Sequence, residues 1–220
     1  MIYERRAITE PYVYRQSIEI AASAEEIWAM ITTADGLKQW YAPEARASAD
    51  TVWVSWGDGM DGESKITAWE PPRRVRWEWG NSPLEYHVED GRLTIENSTT
   101  SHGTKYCLPH AWPLFLLALK HSAERRAVRF ENITVFRTTA TPRPQVFARV
   151  LQQMGTLKAS LRLMDPEGYA AFETPGALLC IFCEGGGADT MLTLMWLVYD
   201  GATTGLRERW EAIADAAVAA

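Results

Sequence analysis

Between Arg74 and Asn97 the chain alternates apolar and polar residues over three successive segments, and this alternation constrains the fold more than any motif does. Val75, Trp77 and Trp79 fall on one parity, and Arg74, Arg76 and Glu78 on the other. Leu84, Tyr86 and Val88 alternate against Glu85, His87 and Glu89, and Leu93 and Ile95 against Arg92, Thr94 and Glu96. Strand side chains point to opposite faces in turn, so the pattern describes an antiparallel sheet with one face on a core and one in water. Asp90-Gly91, between the second and third segments, is the strongest short hairpin signal in the chain.

The stretch Pro109–Arg126 follows and reads as a long amphipathic helix. Trp112, Phe115, Leu116, Leu119 and Ala123 recur at helical spacing and make one apolar stripe. Lys120, Glu124, Arg125 and Arg126 keep the other side polar, with the basic pair near the end where the helix dipole favours cations. Pro113 is expected in the first turn, where a missing N–H costs little. Such a helix either covers the sheet as an ordinary core element or is wrapped by it around a cavity.

The remaining elements fall on either side of this pair. Tyr14–Ala21 alternates as a first strand, and Ser23-Ala-Glu-Glu26 is a capping box that starts a helix carrying Ile27, Trp28, Met30 and Ile31. Gly36 is expected to break it, and Leu37–Tyr41 to form a short second helix closed by Pro43. Strands are expected at Thr51–Trp56, Glu63–Trp69, Arg74–Trp79, Leu84–Glu89 and Arg92–Asn97, before helix Pro113–Arg125. This is a complete α+β unit of about 110–120 residues.

A second, shorter pass begins at Val128. A strand at Asn132–Arg137 precedes a helix bearing Val146, Phe147, Val150, Leu151 and Met154. Strands are then expected at Thr156–Met164, Ala177–Glu184 and Thr190–Tyr199, and a last helix at Gly205–Ala219 presents Leu206, Trp210, Ile213, Ala214 and Ala217 on one face. Gln145–Val150 echoes Glu26–Ile31. Residues 1–127 and 128–220 therefore read as a unit and a degenerate second copy, packed on the first because no Gly/Ser-rich linker separates them. The other reading is a single mixed domain with an elaborated second half.

Composition narrows the function. A net charge of −6 argues against a general nucleic-acid or anionic-membrane surface. No apolar run approaches the roughly 20 residues of a membrane span, and the N-terminal residues lack the apolar core of a secretory signal, so the chain reads as cytoplasmic. Cys107, Cys180 and Cys183 make no disulfide framework, and Cys180-Ile-Phe-Cys183 lies in a strand-like run where buried thiols are expected rather than zinc or redox chemistry. Asp58, Asp61 and Glu63 cluster at a turn without the spacing of a calcium loop. Glu78, Glu85, His87 and Glu89 fall on the outer parity, away from any pocket, so no catalytic residue and no cofactor is assigned. His110, placed at the mouth of the long helix, either looks into a pocket or satisfies N–H groups of the helix start.

Ten tryptophans are many for 220 residues. If those on the inner parity do not pack fully, they line an apolar pocket whose polar points are indole N–H groups and a phenol. Such a pocket, between sheet and long helix, would draw on Trp40, Val75, Trp77, Trp79, Leu84, Tyr86, His110, Trp112, Phe115, Leu116 and Leu119.

Ile18–Ile31, Leu37-Lys-Gln-Trp40-Tyr41 and Ile66–Trp77, followed by the paired segment Leu84–Ser98 and the helix Trp112–Glu124, resemble the START/SRPBCC helix-grip superfamily. Within it they are most similar to the branch named for activators of the heat-shock chaperone ATPase (AHSA-type). The resemblance covers about residues 14–126. It implies a curved antiparallel sheet gripping a long C-terminal helix, with a hydrophobic cavity between them. Members bind lipids, polyketides or other apolar molecules, a few catalyse cyclisation or hydrolysis, and many bacterial ones have no known role. The segment Ser98–Ala111 is shorter here than in many members, and residues 128–220 resemble the pattern only loosely.

Three functions stay open on the sequence. One is a binding protein for a small apolar or aromatic ligand. Another is a cyclase- or hydrolase-type enzyme on the same fold, which requires an inward His, Asp or Glu. The third is a protein-interaction module, such as a chaperone partner or a homodimer built through the second half, which requires an exposed apolar patch.

Overall fold

The computed structural model describes residues 7–57, 61–80, 82–125, 131–155, 159–174, 176–185, 189–198 and 205–219. They fall into two compact units, the first ending with Arg125 and the second beginning with Glu131.

The first unit opens with β1 (Ala7–Glu19), then α1 (Ala24–Thr32) and α2 (Ala34–Trp40). Six strands follow: β2 (Glu44–Ala47), β3 (Thr51–Ser55), β4 (Asp61–Glu70), β5 (Arg74–Glu78), β6 (Leu84–Glu89) and β7 (Arg92–Ser101); α3 (His102–Arg125) closes the unit. The sheet order is β1-β7-β6-β5-β4-β3-β2, so six strands form a meander and the first strand returns beside the last. All pairings are antiparallel.

Local chemistry explains the entry to this unit. The Ser23 hydroxyl accepts from the Glu26 N–H while the Glu26 carboxylate accepts from the Ser23 N–H, which closes the expected capping box. At the β6–β7 hairpin Gly91 takes φ +71, a conformation open to glycine at no steric cost. The Asp90 carboxylate there accepts from the Ala24 N–H, tying the hairpin to the start of α1.

The expected parity appears as burial. Val75, Trp77, Leu84, Tyr86, Val88, Leu93 and Ile95 are all buried, while Arg74, Arg76, Glu78, Glu85 and His87 are half-buried on the other face. Thr94 departs from its expected wet environment: it is buried, and its hydroxyl lies 2.8 Å from that of the exposed Ser17, its register partner on β1.

Three expectations need correction. The long helix does not begin at Pro109 or Pro113. It runs from His102 directly out of β7, with both prolines inside it. Pro113 lacks the N–H that would meet the Pro109 carbonyl, and Pro109 the one that would meet Lys105; extensive burial of the helix offsets that cost, since Leu108, Trp112, Leu114, Leu116, Ala118 and Leu119 are all buried. Gly36 does not break α1. That helix stops at Thr33, which caps α2 by accepting from the Gly36 N–H, and Gly36 lies buried in the first turn of α2. The short strand β2 carries no strong strand former, only Glu-Ala-Arg-Ala, which is why sequence pattern passes over it.

The second unit contains β8 (Glu131–Thr139), α4 (Arg143–Gly155), β9 (Ser160–Asp165), β10 (Tyr169–Thr174), β11 (Ala177–Glu184), β12 (Thr190–Val198) and α5 (Leu206–Val218). Its sheet order is β8-β12-β11-β10-β9, again antiparallel with the first strand beside the last. The alanine-rich β10 is an additional strand beyond the four expected. Val146, Phe147, Val150 and Met154 of α4 and Trp210, Ile213, Ala214 and Ala217 of α5 share one core with Ile133, Val135, Leu192, Leu194 and Trp196.

Some expectations lie outside the described residues: Asp58 of the acidic turn, Arg126, the boundary at 127–128, the start of the Thr156–Met164 strand, Tyr199, and the side chains of Cys107, Arg125 and Leu206.

Candidate functional site

The inner face of the first sheet and the helices opposite it bring eight aromatic rings into one continuous cluster. Trp77 of β5 lies edge-on to Tyr86 of β6 at 4.9 Å between centroids, and Tyr86 edge-on to Trp112 of α3 at 6.4 Å. Trp112 continues to Phe115 at 5.9 Å, and Phe115 to Tyr41 at 5.1 Å. Tyr41 touches Trp40 at 5.0 Å and Trp56 at 5.2 Å, and Trp56 reaches Trp79 at 6.1 Å. Edge-to-face geometry lets each ring present its positive rim to a neighbour's negative face.

Of the sequence-derived candidates, Trp40, Trp77, Trp79, Tyr86, Trp112 and Phe115 stand in this ring cluster. Val75, Leu84, Leu116 and Leu119 are buried on the same sheet face and helix stripe. His110 is the exception. Two residues from Trp112 on a helix, it lies about 200° around the axis from it, and with α3 beginning at His102 it stands in the third turn rather than at a mouth. Tyr41 and Trp56 belong to the cluster and were not singled out in the sequence. Tyr41 follows the last residue of the short α2, where periodicity gives no direction, whereas Trp56 shares the parity of the buried Val52 and Val54 within the expected strand.

Polar atoms divide the cluster into two parts. In the first part they are satisfied. The Trp40 Nε1–H donates to the Met30 carbonyl at 2.9 Å and the Trp56 Nε1–H to the Tyr41 carbonyl at 2.8 Å. The Trp112 Nε1–H donates to Asn97 Oδ1 at 2.9 Å, and the Asn97 Nδ2 donates to Ser82 Oγ and the Pro83 carbonyl, both at 2.9 Å. In the second part, Ser64 Oγ, Trp77 Nε1 and Tyr86 Oη are buried and have no hydrogen-bond partner from the protein. Ser64, Trp77 and Tyr86 share the inner face and are 0% exposed. Burial drives the Tyr86 phenol well above its ordinary value, helped by Tyr41 beside it, so it is a neutral hydroxyl able to donate. The indole N–H can only donate. An orphaned buried donor is costly, and native structures seldom leave one without a use.

Trp56, Trp79 and Phe115 occupy positions in the same ring cluster yet remain half-buried rather than buried. They mark the side on which the aromatic interior meets solvent. Tyr14 and Gln16, bonded to one another on the inner parity of β1, are half-buried in the same way, and burial raises the Tyr14 phenol to about 12.

Of the charged residues considered for acid–base work, Glu78, Glu85 and His87 are engaged on the outer face, and Glu89 is exposed. Arg74 Nε reaches Glu85 Oε1 at 2.7 Å, Arg76 Nε reaches Glu78 Oε1 at 2.8 Å, and His87 Nε2 lies 3.0 Å from Glu85 Oε1. The Arg74 hydrogen bond leads the effects that hold the Glu85 carboxyl below its ordinary value. Asp61 and Glu63 are exposed, two residues apart on β4; among the described residues no group of three or more His, Cys, Asp and Glu side chains is placed to hold a metal ion. No described helix is long and apolar enough to cross a membrane. Cys180 and Cys183 are buried free thiols three residues apart on β11, hence on opposite sheet faces, and they do not form a chelating pair.

A seven-stranded antiparallel sheet closed against a long helix by a ring-lined face defines an α+β domain of the helix-grip kind. The family model described as Activator of Hsp90 ATPase homolog 1-like protein matches residues 21–130, and the chain belongs to that family. Among solved structures it is similar to a conserved protein of unknown function from Enterococcus faecalis, at 18% identity, over 56% of this chain and 78% of that one, with a TM-score of 0.48. It is similar to the Aha1 protein of Colwellia psychrerythraea, solved as a dimer, at 24% identity over 51% and 96% of the two chains with a TM-score of 0.44. DynU16, from the dynemicin biosynthetic locus, aligns over 94% of this chain and 96% of its own at 17% identity with a TM-score of 0.43. No relative among curated proteins matches the chain.

Proposed function

We propose that the first unit binds a small apolar or aromatic molecule that carries a hydrogen-bond acceptor, between the inner face of its sheet and α3. The observation that carries this reading is the pair of buried, unpartnered polar atoms Trp77 Nε1 and Tyr86 Oη within the ring cluster, with Ser64 Oγ, likewise unpartnered, on the same sheet face. Rings supply area for an apolar skeleton, and the donors fix its orientation, the usual division of labour in a small-molecule site. The half-buried Trp56, Trp79 and Phe115 are the route by which it enters. Among the described residues no carboxylate or imidazole joins the ring cluster, which favours binding over catalysis.

Tryptophan fluorescence, titrated with dodecanoic acid and with a hydroxyanthraquinone, tests the reading. Saturable quenching is expected with at least one of them, and Trp77→Phe and Tyr86→Phe should each weaken it about 5- to 10-fold, the worth of one hydrogen bond. Unchanged emission with both ligands overturns the proposal.

Residues 128–220 fit the same reading as a shortened second copy. The order β8, α4, four strands, α5 parallels β1, α1, meander, α3, and in each sheet the first strand pairs with the last. The copy lacks counterparts of α2 and of two strands.

A further inference from the structure

We propose that the second unit holds a ligand site of its own, built on Trp196 of β12 and Trp210 of α5, for an uncharged apolar molecule with a carbonyl-type acceptor. The site is independent of the one proposed between the first sheet and α3, and takes from the duplication only a correspondence of positions.

The two indoles lie 4.3 Å apart between centroids, tilted by 57°. Trp210 is 0% exposed and Trp196 6%. Neither Nε1–H has a hydrogen-bond partner from the protein. Two donor-only groups are thus buried side by side with nothing to receive them, in a core otherwise made of Ile133, Val150, Leu194 and similar side chains.

Comparison of the two units explains how the pair became orphaned. On the closing helices, Trp112, Phe115, Leu116 and Leu119 have the spacing of Trp210, Ile213, Ala214 and Ala217. On the last strands, Leu93 pairs with Val88 and Leu192 with Cys183 just beyond their hairpins. Counting on from these partners aligns Ile95 with Leu194 and Asn97 with Trp196. In the first unit the Asn97 carboxamide accepts the Trp112 indole proton at 2.9 Å. In the second unit that acceptor is replaced by another indole, so a matched pair becomes two unmatched donors.

The same alignment removes bulk beside the indoles. Ala214 and Ala217 stand where α3 carries Leu116 and Leu119, one and two turns along the face that bears Trp210. The chemistry selects the ligand. Indole N–H groups donate and never accept, so the molecule must bring the acceptor. Among the described residues no cationic side chain belongs to this core, so a carboxylate would be stripped of water without a counter-charge. A neutral ketone or quinone oxygen fits both demands.

The test uses the full chain labelled with 15N at the tryptophan indoles, titrated with acetophenone, an aromatic ketone with one acceptor. Trp196→Phe and Trp210→Phe assign the two resonances, and triple-resonance assignment of the wild-type chain serves if either variant does not fold. Both indole protons are expected to shift downfield together and to saturate with one midpoint. Shifts that are absent, linear without saturation, or confined to one of the two indoles overturn the proposal. The Trp77 resonance reports separately on the first unit: movement there alone sustains that site and rejects this one.

Discussion

The Trp112 indole and the Asn97 carboxamide form a 2.9 Å hydrogen bond that joins α3 to β7 inside the core. Asn97 is 4% exposed and uses both ends of its amide, accepting from the helix and donating to Ser82 and Pro83 at the entry to β6. Three elements are fixed by one side chain. Asn97→Leu leaves the Trp112 N–H unpaired, while the Pro83 carbonyl keeps the Ser98 N–H at 3.0 Å, and should destabilise the protein by about 2 kcal/mol. Trp112→Phe and the double variant complete a cycle in which a coupling of about 1 kcal/mol or more is expected from urea unfolding. Additive losses would mean that the bond contributes nothing specific.

Gly36 offers a steric prediction. A Cβ at this position would lie 2.2 Å from the Ala29 carbonyl oxygen and 2.6 Å from the Met30 Cα, both backbone atoms of α1. Neither can step aside without moving a helix. Gly36→Ala should cost roughly 3 kcal/mol, read as a lower urea midpoint with an unchanged slope. Gly57→Ala provides the contrast. That residue has φ +89 but nothing within 4 Å of the added carbon, so only backbone strain of about 1–2 kcal/mol is expected.

These residues also show where sequence was readable and where it was not. Strand parity carries its own direction, so Val75, Trp77, Leu84 and Tyr86 could be placed on one buried face without a structure. The ends of elements carry no such signal. Tyr41, one residue past α2, was missed for that reason, although Trp56 carried the parity of Val52 and Val54, and the two prolines of α3 mimicked a helix start that lies seven residues earlier than the first of them. Asn97 and Ser64 had a usable signal: both are polar residues on an inner parity, Asn97 following Leu93 and Ile95, and Ser64 preceding Ile66. A polar side chain in an apolar register either holds the core together, as Asn97 does, or waits for a partner, as proposed for Ser64.

Glu85 is the shared carboxylate of the outer face, taking Arg74 at 2.7 Å and Arg76 at 3.4 Å across two strands. Its depressed pKa makes a stabilising contribution that is present above the ordinary carboxylate range and is lost as pH falls through the folded value. Glu85→Gln should therefore lower stability by about 1 kcal/mol at pH 7, and the gap to wild type should close as pH falls below the ordinary carboxylate range through the folded Glu85 value. Equal stability of the two proteins at pH 7 would show that solvent screening cancels the network.

Cys180 supplies the opposite sign. Burial raises its thiol from 9.0 to about 12, so the folded chain holds a proton that the unfolded chain releases. The contribution is fully present below about pH 9 and is lost between pH 9 and about 12, with a limiting slope of about 1.4 kcal/mol per pH unit. Tyr14, raised to about 12 from 10.0, adds to the decline above pH 10. Urea unfolding of wild type and Cys180→Ala from pH 7 to 11 separates the two effects. The variant should begin less stable, because a buried sulfur has been removed, and should then lose stability more slowly, so that the curves converge or cross above pH 10. Parallel curves would mean that the Cys180 thiolate is tolerated inside the fold.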